Sequence, residues 1–216
     1  MLVQAMVALL VSFGGEFLLD TGVSALFGAD PCVTRKLLFL PLSLLPRTVV
    51  LLLIYWDREP WRKYVGELSR TTWLYAAGGI VFVSGGLSLM EGGGFPQVAA
   101  EFRYMMDLAN GALPLALLLM AGQILYYAVE GAVKIYVIVK GSEAVEGWQP
   151  SFSPWLAGVC AGLLLGLTWG LIHIVSQGSI MAGLAGLILS IPLGFLYAKS
   201  RAGVVPWLTW MSLMIL

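Results

Sequence analysis

Four residues in the second half of this chain carry side chains able to do chemistry in an apolar setting: Glu130, Lys134, Trp169 and His173. Glu130 and Lys134 lie in the stretch "ILYYAVEGAVKIYVIV", Ile124 to Val139, four residues apart and so on one helix face. A carboxylate beside an ammonium can serve as a general base, with the cation holding it ionised or orienting it. The same spacing also suits a self-neutralising pair in which Lys134 reaches along its aliphatic stem toward the interface. Gln123, Tyr126 and Tyr127 recur at helical spacing with this pair, which makes a polar stripe on an apolar helix. Trp169, His173 and Gln177 follow one another at i, i+4 in "LTWGLIHIVSQGS". His173 is the only histidine, and a packing role is as open to it as a catalytic one.

A second group lies near the start. Glu16 and Asp20 share a helix face at i, i+4, and Arg47 follows in the next apolar segment. In an antiparallel helical hairpin turning near 28–36, Glu16 and Arg47 fall at similar depth. One reading is a buried ion pair that fixes the hairpin. The other is a proton or cation site at Glu16 and Asp20, continued by Glu130 into a transport path. A carboxylate-rich metal site drawn from Glu16, Asp20, Glu130 and His173 is also open. A zinc site is not, because too few nitrogen and sulfur donors are present.

These residues must be positioned by apolar elements. Of 216 residues, 59% are hydrophobic and 11% are charged, with 12 acidic against 12 basic groups. That balance points to a polytopic membrane protein whose first partner is the lipid bilayer, and it suggests no nucleic-acid partner. Seven segments are apolar enough to be expected as spans: 2–27, 37–56, 72–90, 112–139, 155–176, 179–198 and 203–216. The fold class expected is therefore all-α, a single bundle of about seven transmembrane helices over residues 1–216. The first segment has no basic flank and reads as a retained span. Pro41 and Pro46 predict a kink in the second. "MEGGGFPQ" and "KGSEAVEGWQPSFSP" read as loops, and Cys32 and Cys160 are too far apart in the chain to suggest a disulfide or metal motif.

Basic residues set the expected orientation in the cell membrane. An N-terminus in the cytoplasm puts Arg58, Arg62, Lys63, Arg70, Lys140, Lys199 and Arg201 inside, and Arg35, Lys36 and Arg103 outside.

"VEGAVK", followed by "PWLAGVCAGLLLGLTWGLIHI", resembles the CPBP family of intramembrane glutamate proteases, also called CAAX-protease or Abi proteins. The resemblance covers a core of about residues 112–216. The family's motifs are Glu-Glu-x-x-x-Arg, then an aromatic three residues before a histidine, then a final His-x-x-x-Asn or Asp. Carried over, Glu130 falls on the second glutamate, Lys134 on the arginine, Trp169 on the aromatic and His173 on the first histidine. The resemblance implies peptide hydrolysis within the membrane, of a peptide or membrane-protein substrate, with Glu130 activating water, His173 polarising the carbonyl, and no cofactor. Three positions depart from the pattern: Val129 replaces the first glutamate, and Met211 and Ile215 stand where the last motif belongs. Lys134 also lacks the forked guanidinium that orients a carboxylate. In straight antiparallel helices Glu130 and His173 differ in depth by about 15 Å, so direct contact between them is not expected. A catalytic reading, a non-enzymatic scaffold or complex subunit, and a small ion-coupled transporter all follow from these residues.

Overall fold

A computed structural model describes residues 1–28, 32–56, 64–90, 97–177 and 180–215. Among these there are eight helices and no strand: α1 (Leu2–Phe27), α2 (Val33–Trp56), α3 (Arg70–Met90), α4 (Gln97–Leu108), α5 (Leu113–Trp148), α6 (Pro154–Gln177), α7 (Ile180–Ser200) and α8 (Val204–Ile215). Four are long and apolar enough to cross a membrane, within α1, α5, α6 and α7. The seven expected spans each fall in a helix, but the expected count of seven crossings is not reached on length and composition. α2 carries Arg35, Lys36 and Arg47, and α8 has only 12 residues, about 18 Å of rise. The basic cluster Arg58, Arg62 and Lys63 lies outside the described residues.

α5 is the axis of the bundle, packing against α1, α2, α4, α6, α7 and α8. Its sequence explains its length of 36 residues. Pro114 sits in the first turn, where its missing N–H costs nothing, and no further proline occurs before Pro150. The helix runs through 140–148, which the sequence suggests is a loop, because Lys140 and Glu143 pair at 3.5 Å across one turn. Phe13 of α1, Val50 of α2, Val133 and Tyr136 of α5, Leu165 of α6 and Trp210 of α8 form the main core. Leu18, Leu118, Leu171 and Val175 project outward, as side chains facing acyl chains would.

Two local features set the positions of the polar groups. In α1, residues Leu10–Gly14 form a π turn, which places one residue more than an α-helix needs between the buried Ala5, Ala8 and Leu9 and the polar Glu16. α6 and α7 meet along a seam of small residues. A Cβ added at Gly158, Gly162, Gly166 or Gly170 would come within 2.4–2.8 Å of α7 backbone atoms. The two backbones therefore touch, as small residues at every fourth position allow. α4, which the sequence reading leaves as loop, packs on α5 and α8.

Candidate functional site

Glu130 and Lys134 are both buried, at 4% and 0% exposure, with Lys134 Nζ 2.9 Å from Glu130 Oε1. The contact is close but not aligned as a hydrogen bond, so the pair is held by charge. Lys134 has two further neighbours. Its Nζ lies 3.5 Å from the ring centre of Trp169 on α6 and 3.0 Å from that of Trp210 on α8. The two indoles meet edge to face, with centres 5.4 Å apart. A desolvated ammonium over an indole face gains about 2 kcal/mol or more, so the cage offsets part of the cost of burying the amine.

α8 is docked on α5 by its tryptophans. Trp207 Nε1 donates to the Ala128 carbonyl at 3.0 Å, and Trp210 Nε1 donates to the Tyr127 carbonyl at 3.2 Å. Gly131 makes this approach possible, since a Cβ there would sit 2.6 Å from Trp210 Cδ1 and 3.0 Å from Trp207 Cδ1. Met211, one of the positions that departs from the CPBP pattern, is buried in the same core, whereas the Ile215 side chain lies outside the described residues.

His173 joins this cluster through Trp169. The two rings stack edge to face at 4.3 Å, and His173 Nδ1 is 3.1 Å from the Trp169 carbonyl oxygen. A carbonyl only accepts, so Nδ1 of the neutral ring carries the hydrogen and Nε2 keeps its lone pair. The chain Glu130, Lys134, Trp169, His173 is thus continuous, although the two ends are linked through the intervening pair. The Gln177 side chain lies outside the described residues.

The expected polar stripe on α5 divides between three directions. Tyr126 donates to Glu16 Oε1 on α1, and Tyr127 donates to Glu101 Oε1 on α4 at 2.9 Å. Glu130 and Lys134 turn toward α6 and α8. Glu16 is fully engaged: its Oε2 meets Arg47 Nη2 at 2.5 Å, and the Arg47 guanidinium lies 4.3 Å over the Tyr126 ring. Arg47 also donates to the Ser43 carbonyl at 2.8 Å. The expected hairpin ion pair is therefore formed. Asp20 pairs separately, with Arg35 at 2.9 Å, and Arg35 also donates to Ser24 at 2.8 Å.

Glu16, Asp20 and His173 line one cavity of about 210 Å³, walled by Phe13, Phe17 and Phe39. Glu130 is not among its lining residues; its carboxylate is in contact with Lys134. Among the described residues no three His, Cys, Asp or Glu side chains come together to hold a metal, so the carboxylate-rich metal site of the sequence reading is not assembled. Nor do Glu16, Asp20 and Glu130 line a single cavity, as a transport path would need.

Trp210, Gly131 and Glu101 were not singled out by sequence reasoning. The signal for Trp210 is the pair of tryptophans three apart in "PWLTWM" on an apolar helix. Comparison with family models, with curated proteins and with solved structures finds no match to this chain.

Proposed function

We propose that the chain is an integral membrane protein with a CPBP-like helix core, in which the positions of the catalytic motif hold helices together and do not cut peptides. The observation that carries this is the Lys134 cage. Glu130 is neutralised by an ammonium that is itself enclosed by two indoles, and neither group opens onto the cavity beside His173. A general base must reach a water and a substrate carbonyl, and a carboxylate in this position reaches neither. With seven crossings the N-terminus lies in the cytoplasm, and the segment 57–71 with Arg58, Arg62, Lys63 and Arg70 lies inside.

A second reading, a working intramembrane peptidase, is favoured by one observation. Motif positions from α5 and α6 converge on one place beside Trp210 of α8, and His173 Nε2 is left as a free acceptor at the cavity. One experiment separates the two. Purified protein in liposomes is incubated with a library of membrane-inserted peptides, beside Glu130→Gln. The first reading expects no cleavage above the variant. Cleavage that Glu130→Gln abolishes, in a variant that still folds, overturns it and establishes the second. Labelling of a cysteine placed in 57–71 from outside sealed cells would overturn the orientation.

A further inference from the structure

We infer that the paired cavities on the turn side of the α1–α2 hairpin bind a zwitterion, a primary ammonium joined to an anionic group, as in an ethanolamine phosphate. The inner cavity, described above, presents acceptors. Asp20 is a carboxylate paired through Oδ1 with Arg35, Glu16 is committed to Arg47 and Tyr126, and the neutral His173 offers Nε2. Arg47, the nearest cation, is 0% exposed and directs its donors to Glu16 and Ser43, not into the space. The walls are the rings of Phe13, Phe17 and Phe39 with Tyr126, which favour a cation over a neutral group.

The outer cavity has the opposite character. It shares Asp20 and Phe39 with the inner one, encloses about 200 Å³, and adds Arg35, Lys36 and the Tyr104 hydroxyl. Lys36 feels the Glu101 and Asp20 carboxylates, whereas Arg35 is in direct contact with Asp20 at 2.9 Å.

Charge decides between ligand classes. Glu16 pairs with Arg47, Asp20 pairs with Arg35, and Glu101 is the strongest opposite charge acting on Lys36, so the two halves together are neutral while Lys36 sits in the outer one. A bare cation meets Lys36 and Arg35 on the way in. A bare anion is met by Lys36 but leaves the acceptor-lined aromatic half without a donor. A zwitterion satisfies both halves, with its ammonium against Asp20, His173 Nε2 and the rings and its anionic group on Lys36. The acceptors call for N–H donors, so a primary ammonium is preferred to a quaternary one.

The zwitterion has two possible sources, a lipid headgroup or a free solute. The outer cavity begins at Asp20, about 12 Å along α1 from Gly28, and the inner one reaches Phe13, about 22 Å from it. The test uses the purified full chain in detergent. Binding is read by native mass spectrometry and by thermal shift with phosphatidylethanolamine, phosphatidylcholine, phosphatidylglycerol and soluble glycerophosphoethanolamine. The expected order is phosphatidylethanolamine above phosphatidylcholine, with phosphatidylglycerol weakest. Lys36→Gln and His173→Phe should each weaken the phosphatidylethanolamine complex about tenfold or more, since each removes a polar contact to a charged group. Saturation by the soluble headgroup assigns the site to a free zwitterion, and binding of the lipid alone assigns it to a membrane headgroup. Phosphatidylglycerol binding as well as phosphatidylethanolamine, failure of both ethanolamine ligands, or unchanged binding in both variants overturns the proposal.

Discussion

The ammonium of Lys134 lies 3.0 Å from the ring centre of Trp210, a residue 76 positions later in the chain. That relationship ties the apolar midpoint of α5 to the short α8 and makes a buried charge part of helix docking. Removing one member of a buried pair is worse than removing both, because the survivor keeps its desolvation cost and loses its counter-charge.

Lys134→Met should therefore destabilise the protein by about 3–5 kcal/mol, since it leaves Glu130 alone in the core. Glu130→Gln should cost less, because the amide oxygen's dipole still faces the ammonium and the indole cage is intact. The double variant Glu130→Gln, Lys134→Met should recover most of the loss. Denaturant or thermal unfolding in detergent measures all three, and a double variant no better than Lys134→Met would remove the pairing argument.

The hairpin pair behaves asymmetrically. Arg47 is wholly buried, whereas the Glu16 side chain is 20% exposed. Glu16→Leu strands a guanidinium that cannot shed its proton, and should cost about 3–5 kcal/mol. Arg47→Met leaves a carboxylate that can take up a proton or hydrate from the cavity, and should cost less. The same unfolding assay gives the order, and equal losses would show that burial does not govern it.

Gly131 leaves no room for a side chain. Gly131→Leu should push Trp207 and Trp210 off α5 at a cost of about 1–3 kcal/mol. Quenching of tryptophan fluorescence by a membrane-embedded quencher should rise as the indoles move outward. Unchanged quenching with unchanged stability would count against the docking described.

Along the α6–α7 seam the obstacle is backbone. Gly166→Leu would bring a Cβ to 2.8 Å from Leu187 Cα, and backbone cannot rotate away as a side chain can. Cysteines placed across the seam should cross-link in the parent and lose that cross-link in Gly166→Leu.

What could be read in the sequence followed from how local the signal is. The apolar segments and the i, i+4 Glu130–Lys134 pair are local, and the structure forms the segments as helices and makes the pair, although four helices and not seven are long and apolar enough to cross a membrane and Lys134 is enclosed instead of reaching toward the interface. The Glu16–Arg47 pair needed only the assumption of a hairpin, and it too is formed. The division of the polar stripe on α5 could not be read, because Tyr126, Tyr127 and Lys134 are sorted by three neighbouring helices whose positions no periodicity gives. The segment 140–148 was misread because Gly and Ser suggested a turn, whereas the Lys140–Glu143 contact sustains the helix. Trp210 closes the cage from a different helix, and its partner could be found only in three dimensions.

The π turn at Leu10–Gly14 has a consequence for how the first helix tolerates change in length. A π turn is the trace of one residue more than an α-helical repeat requires. Deleting a single residue between Leu10 and Gly14 would restore a regular helix with both flanks still in phase, whereas adding one more would swing one side by about 100° relative to the other. Ala5, Ala8 and Leu9 would then keep their places against α5 while Glu16 turned away from Arg47. The phase of this helix is thus written in a count of residues and not in their identity: a chain shortened here by one keeps its charge pairing, and one lengthened by one loses it.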